Sequence, residues 1–239
     1  MTTAKKALAK LAERSGRHNR KRAPRADELS RAKRAAHGRY AKLQPQAAFA
    51  NVIRRELDED GVAVFGVTQI GFYAQFGFPV YKPRTIIQPG LQGTLGYAFP
   101  TALGAKIAYP DRQVVCCVGD GGFMFTVQEL ATAVLHKINV VTIVFNDNAF
   151  GNVRRNQRDQ FGSRHIADVL HNPDFVKLAE SFGAIGMRVE TPDALSIALK
   201  RAFHADAPVL IEVPVGEMPS AWEFLPLLRA ADRSKENKT

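Results

Sequence analysis

Asp120 and Asp147 each stand in a short run that could bring oxygen ligands and open backbone to one point. The runs are Gly119-Asp120-Gly121-Gly122 and Asn146-Asp147-Asn148-Ala149-Phe150-Gly151. Two carboxylates held close repel each other unless a cation lies between them. Hard oxygen donors suit Mg²⁺ or Ca²⁺ and do not suit zinc. Mg²⁺ bound by a pair of carboxylates keeps open positions, which phosphate oxygens and water fill. Gly121 and Gly122 permit close backbone approach, and successive amides there can form an anion-binding hollow. The residue types therefore describe a magnesium–diphosphate site. Gly, Asp and Asn also dominate turns, and either run alone reads equally well as a turn. Their occurrence together is what argues for chemistry.

That argument depends on the elements in front of the two runs. The apolar stretch 114–118 leads directly into the first, and 140–145 leads into the second. Similar β-branched stretches lie at 62–67, 185–189 and 209–213. Each is nearly continuous in apolar character, as strands covered on both faces are. Helices are predicted over 46–57, 96–108, 126–137, 174–183 and 193–204. The one over 126–137 is the best specified. Thr126 can cap it with Glu129 reciprocating, and Phe125 and Leu130 occupy the staple positions. Thr191-Pro192 opens the last, a cap followed by proline at the first helical position. Strands alternating with helices in right-handed crossovers predict an α/β fold, a doubly wound and mainly parallel sheet with helices on both faces. Ligands of such sheets bind at the carboxyl ends of the strands. One helix separates the strands ending near 118 and 145, so their ends should be neighbours, with Asp120 beside Asp147.

Composition sets the outer bounds. The chain has 239 residues, 46% apolar, and a net charge of +10. The charge is unevenly placed. Residues 1–42 hold 14 Lys and Arg against Glu13, Asp27 and Glu28, leaving 19 basic and 20 acidic residues in the remainder. The basicity thus belongs to a leader, whose segments 3–14 and 26–43 read as exposed helices interrupted at Ser15-Gly16-Arg17-His18-Asn19. With Tyr40 as its one aromatic residue, this leader lacks the stacking surface of a nucleic-acid-binding arm. The divisions expected are a basic helical leader at 1–45, an α/β domain at 46–218 and a C-terminal tail at 219–239. No run of about 18 apolar residues exists to span a bilayer, and no apolar signal opens the chain. Cys116 and Cys117 are adjacent in a strand, where side chains point to opposite faces. They suit a reducing cytoplasmic setting better than a disulfide. The six histidines show no ligand spacing for zinc. No Gly-x-Gly-x-x-Gly run follows a strand, so the nicotinamide-binding fingerprint is lacking.

Gly119-Asp120-Gly121, followed after 24 residues by Asn146-Asp147, resembles the signature of thiamine-diphosphate-dependent enzymes. Over about residues 45–218 the chain is similar to the acetolactate-synthase-like and 2-oxo acid decarboxylase group. The resemblance implies thiamine diphosphate and Mg²⁺ as cofactors. Asp120 and Asp147 would bind the metal by side chains and Ala149 by its backbone carbonyl. The family more often has Asn where Asp147 stands; aspartate is an equally good oxygen donor that adds a negative charge. Gly119, Gly121, Gly122, Gly151 and Asn152 would line the diphosphate. Gly93, Thr94 and Leu95 match the segment that grips the aminopyrimidine ring, Gly93 by its carbonyl and Leu95 as the bulky residue beneath a bent cofactor. Thr68 and Gln69 fall where the family has another diphosphate contact. The implied reaction is decarboxylation or ligation of a 2-oxo acid, with the bond-breaking chemistry supplied by the cofactor.

The same resemblance implies a glutamate on a separate pyrimidine-binding domain, which no segment before residue 60 could form. The chain is therefore expected to act with such a domain or subunit in trans, within a homo- or hetero-oligomer, and to be inactive in isolation. A non-catalytic cofactor-binding or regulatory relative is the alternative.

Overall fold

The computed structural model describes residues 3–18, 24–90 and 92–221. The interruption predicted at Ser15–Asn19 is not seen over 15–18, where a helix continues to His18; Asn19 and residues 222–239 of the predicted tail lie outside the described residues. The chain divides into two compact units at His37 and Gly38. The first unit contains α1 (Ala4–His18) and most of α2 (Ala26–Tyr40), neither of which has a buried residue among those described. Leu8, Leu11 and Leu29 are exposed.

In the second unit the described strands form one six-stranded parallel sheet. The strands are β1 (Val62–Phe65), β2 (Ile86–Ile87), β3 (Val114–Gly119), β4 (Val141–Asn146), β5 (Ile185–Arg188) and β6 (Val209–Pro214). Their order across the sheet is β2-β1-β3-β4-β6-β5. Every pairing is parallel, so each connection is a crossover and a helix fills it. Alternate residues of β1 and β3 enter two separate cores. Ala63, Phe65, Val115 and Cys117 meet one helical layer, built from α3 (Gln46–Glu56), α4 (Gln69–Gly77) and α10 (Pro192–Ala202). Val62, Val64, Val114, Cys116 and Val118 meet the other, which draws on α5 (Ala98–Ala108), α7 (Glu129–Leu135) and α9 (Phe175–Ser181). This two-sided burial explains why the strands read as unbroken apolar runs. Cys116 and Cys117 are free, buried, and on opposite sides of the sheet.

The five predicted strands and the predicted helices are present, with bounds shifted by a few residues, and three further helices appear. One is α4, which the sequence hides. Its stretch is apolar on nearly all sides, and Gly71 and Gly77 disfavour a helix. Gly71 is there for space, since a Cβ would fall 2.1 Å from the Gly66 carbonyl oxygen. Thr68 Oγ1 accepts from Gly71 N at 2.9 Å and caps this helix. The others are α6 (Asp120–Met124) and α8 (Gly151–Gln160), which begin where turns could equally have been read. The short edge strand β2 is also additional.

The capping box predicted at Thr126 does not form. Helix α7 starts only at Glu129, and Thr126 Oγ1 turns to the Gly96 carbonyl at 3.4 Å. Phe125 is exposed rather than stapled to the buried Leu130. The cap at Thr191 does form, accepting from Ala194 N at 3.2 Å with Pro192 opening α10.

Candidate functional site

Strands β3 and β4 pair with Gly119 opposite Phe145. The two aspartate-bearing runs therefore leave the sheet side by side, at its carboxyl edge. Helix α6 starts at Asp120 and helix α8 at Gly151, and each opens on an amide-rich first turn. A cleft of about 290 Å³ lies between these ends and the loops 67–70 and 93–95, close to the lower bound of ligand pockets. Of the residues singled out from the sequence, Thr68, Gln69, Gly93, Leu95, Gly119, Asp120, Gly121, Gly122, Asp147, Ala149, Gly151 and Asn152 all line it. Thr94 does not, and its side chain is exposed.

The glycines are close-approach positions. A Cβ on Gly121 would stand 2.5 Å from the Phe150 ring, and one on Gly151 would stand 2.7 Å from Asp147 Oδ2. Gly93 has φ +56, a left-handed conformation that a side chain would strain. Leu95 is only partly buried and lies toward Gly122, 3.9 Å from where a Cβ would be. Thr68 packs its methyl group against Gly119, 3.3 Å from where a Cβ would be, while its hydroxyl caps α4.

Asp120 is 2% exposed. Burial raises its carboxyl above the ordinary value, and the Asn172 amide and the backbone amides of Gly121 and Asn148 offset part of that rise. Asp147 is pushed up to about 6, first by burial and then by the charge of Asp120. Ala149 N donates to its Oδ1 at 3.2 Å. Two mutually repelling carboxylates, in a cleft with no Lys or Arg among its lining residues, are what a divalent cation would relieve. Among the described residues no three His, Cys, Asp or Glu side chains cluster as a metal site. A cation here would accordingly need amide or main-chain oxygens besides the two aspartates. Gln69 Oε1 is buried in this region without a hydrogen-bond partner, an acceptor that a bound molecule or water would satisfy. The donor set, the glycine cradle and this orphaned atom together fit a metal–diphosphate ligand.

The repulsion has a measurable sign. The folded chain holds a proton on Asp147 at pH values where the unfolded chain has released it. Its contribution to stability is therefore complete below about pH 4 and is lost as pH rises through about 6. Asp147→Asn should stabilise the metal-free chain at pH 7.5 and flatten the slope of stability between about pH 4 and 6. Allowing for screening at this partly exposed site, the gain is on the order of 1–2 kcal/mol. That corresponds to about 2–8 °C in melting temperature, read by calorimetric unfolding at several pH values. Gly151→Ala should act in the opposite sense. The new methyl must displace the Asp147 carboxylate, so it should cost about 1–3 kcal/mol as an overpacked site does and weaken metal binding about tenfold or more. Chemical denaturation and a metal titration would measure the two effects.

Several residues of the site were not anticipated. The segment 165–172 lies across the second aspartate run. Ala149 bridges Val169, Phe150 N donates to the Asp168 carbonyl at 2.9 Å, and Leu170 N donates to the Asn148 carbonyl at 2.9 Å. Asn148 has φ +53, which asparagine tolerates better than most residues. Asn172 reaches Asp120 directly, donating from Nδ2 to Oδ2 at 2.6 Å. The arginines that follow the second aspartate run are engaged within the chain. Arg154 pairs with Asp168 at 2.8 Å, Arg155 bonds the Met218 carbonyl, and Arg158 pairs with Glu217 at 2.7 Å.

Comparison with known proteins agrees with this geometry. Residues 66–213 match the family described as thiamine pyrophosphate enzyme, C-terminal TPP binding domain. The acetolactate synthase of Bacillus subtilis is 40% identical over 164 residues, covering 68% of this chain and 28% of that protein. The acetolactate synthase large subunit of Haemophilus influenzae is 37% identical over 177 residues, covering 73% and 31%. Among solved structures, the thiamine diphosphate-dependent 4-hydroxybenzoylformate decarboxylase of Rhodococcus jostii RHA1 superposes with a TM-score of 0.67 at 31% identity. That superposition covers 72% of this chain and 32% of the decarboxylase. The chain thus spans about a quarter to a third of the length of these relatives. With two aspartates, a glycine cradle and a parallel sheet edge in the arrangement described, it belongs to the thiamine pyrophosphate enzyme family, as its C-terminal TPP-binding domain.

Proposed function

We propose that this chain binds thiamine diphosphate through Mg²⁺ and serves an acetolactate-synthase-like enzyme that decarboxylates or ligates 2-oxo acids. The observation that carries the reading is the meeting of Asp120 and Asp147 at adjacent strand ends, in a cleft whose walls are glycine. In this reading Asp120, Asp147 and the Ala149 carbonyl hold the metal. Gly119, Gly121, Gly122, Gly151 and Asn152 hold the diphosphate, the last two at the N-terminus of α8, where backbone amides favour anions. Thr68 and Gln69 complete that end, and Gly93 and Leu95 support the ring system. When bound, the cofactor supplies the electron sink for carbon–carbon bond cleavage. The protein's share is to orient it, holding the metal with the two carboxylates and meeting the diphosphate with backbone amides. Residues 46–218 form the binding domain in this assignment, with 1–45 as leader and 219–239 as tail. A pyrimidine-binding domain or subunit completes the site within an oligomer, and the setting is the cytoplasm. Among the described residues no helix is long and apolar enough to cross a membrane.

Calorimetric titration with thiamine diphosphate, with Mg²⁺ and then with a chelator, tests the reading. Binding should be weak, because the contacts of the pyrimidine-binding partner are missing, and it should require the metal. Equal binding in chelator would overturn the assignment of the two aspartates.

A further inference from the structure

Glu212 is a carboxylate inside β6, 4% exposed, in a sheet covered on both faces. A buried charge of this kind must be paired, and both of its oxygens are. Arg188 Nε donates to Oε2 at 2.8 Å, and Asn146 Nδ2 donates to Oε1 at 2.8 Å. A carboxylate in this setting only accepts, so the Asn146 amide has one permitted orientation, with Oδ1 facing away from Glu212. That oxygen accepts from Asn148 N at 3.1 Å and from Asn172 Nδ2 at 2.9 Å. Asn172 is fixed in the same way, because its Nδ2 also donates to Asp120 Oδ2 at 2.6 Å. On the other side, Arg188 donates to Asp174 Oδ1 at 3.1 Å, and Asp174 caps α9. Asn172 and Asp174 are joined through Pro173. The hydrogen bonds Asp174–Arg188–Glu212–Asn146–Asn172 therefore close into a ring with the main chain. Its strong outward branch is the bond to Asp120; the contact from Asn172 to Asn148 Oδ1 is longer, at 3.3 Å.

We propose that Glu212 and Asn172 are positioning residues for the metal centre, Glu212 acting through Asn146 and Asn172 to set how Asp120 presents its carboxylate. This rests on the reading of Asp120 as a ligand of Mg²⁺ in thiamine diphosphate binding. The ring spans three strands and the strap 165–172, so it ties the carboxyl ends of β4 and β6 to the edge strand β5. Each member has a partner that can only donate or only accept, so the chain of orientations admits one solution. Asp120 receives a fixed donor on one oxygen, and its rotation is held before any metal arrives.

The experiment uses the full chain and measures Mg²⁺ affinity at fixed thiamine diphosphate, together with cofactor affinity at saturating Mg²⁺. Asn172→Ala removes the last link in a loop, where the fold tolerates it. Glu212→Gln removes the double acceptor at the far end of the ring. Loss of residues that orient ligands costs about 10–100-fold in metal affinity. Both variants should weaken Mg²⁺ by that factor while leaving cofactor affinity at saturating metal within about threefold, as expected when the loss lies in orienting the metal ligand. The double variant should lose less than the product of the single losses, because the two residues act through one chain of bonds. With Mn²⁺ in place of Mg²⁺, its electron paramagnetic resonance line shape should change in both variants, a signature that general destabilisation would not move. Unchanged metal affinity in Asn172→Ala overturns the proposal. So does an equal fall of metal and cofactor affinity in step with melting temperature. Failure of the unsubstituted chain to bind cofactor in a metal-dependent way would instead remove the functional reading on which this one stands.

Discussion

Asp120→Ala should abolish the metal-dependent part of thiamine diphosphate binding, a loss of more than about 100-fold in Mg²⁺ affinity. Residues one step removed from a metal already cost about 10–100-fold, and Asp120 would be a direct ligand. It is almost fully buried, between the Asn172 amide and the first turn of α6. No other carboxylate among the residues lining the cleft could replace it except Asp147, which the same metal requires. The variant should still fold. Removing one of two repelling charges relieves Asp147, whose carboxyl should fall back from about 6 toward its ordinary value. Circular dichroism would check folding, and calorimetry with and without chelator would read the binding. Metal-dependent binding that survives at full strength would place the cation elsewhere.

The second large effect concerns turnover. A polypeptide of these 239 residues, saturated with cofactor and Mg²⁺, should decarboxylate pyruvate and other 2-oxo acids at a negligible rate. Adding a pyrimidine-binding domain in trans should raise that rate by on the order of 10²–10⁴-fold, the usual worth of positioned acid–base assistance. The physical reason lies in the lining of the cleft, which includes no glutamate and only two carboxylates. Both belong to the metal in the proposed assignment, which leaves no acid to protonate the pyrimidine ring. An open cleft also admits water, which weakens electrostatic stabilisation of developing charge. Robust turnover by the polypeptide alone would show that one of its own acids fills that role.

Much of this architecture could be read from residue order. Strands buried on both sides announce themselves as unbroken β-branched runs, and the runs ending near 118 and 145 placed the two aspartates at neighbouring strand ends. The cleft residues of those two runs followed from the same two ends, whereas Thr68, Gln69, Gly93 and Leu95 came from the family resemblance. What escaped had physical causes. Helix α4 lacks amphipathic contrast because it is largely buried, and its glycines answer to close packing rather than to helix propensity. Strand β2 is two residues long and shows no period. The box at Thr126 failed because the helix begins three residues later, at Glu129, and the Thr126 hydroxyl donates to a tertiary acceptor, the Gly96 carbonyl. Asn172 and Asp174 flank a proline and read as an ordinary turn. Glu212 did leave a signal, since an acid inside the apolar stretch 209–213 demands a buried partner. Its partners Arg188 and Asn146 are 24 and 66 residues away, so no local pattern joins them.

The adjacent thiols offer a use unrelated to catalysis. Burial holds both groups far above the ordinary thiol range, so neither reacts with alkylating reagents while its layer is closed. Cys117 lies under the layer of α3, α4 and α10, and Cys116 under that of α5, α7 and α9. Labelling of one neighbour before the other would time which half of the sandwich peels away first. A single dipeptide thus works as a two-channel clock for the breathing of the sheet.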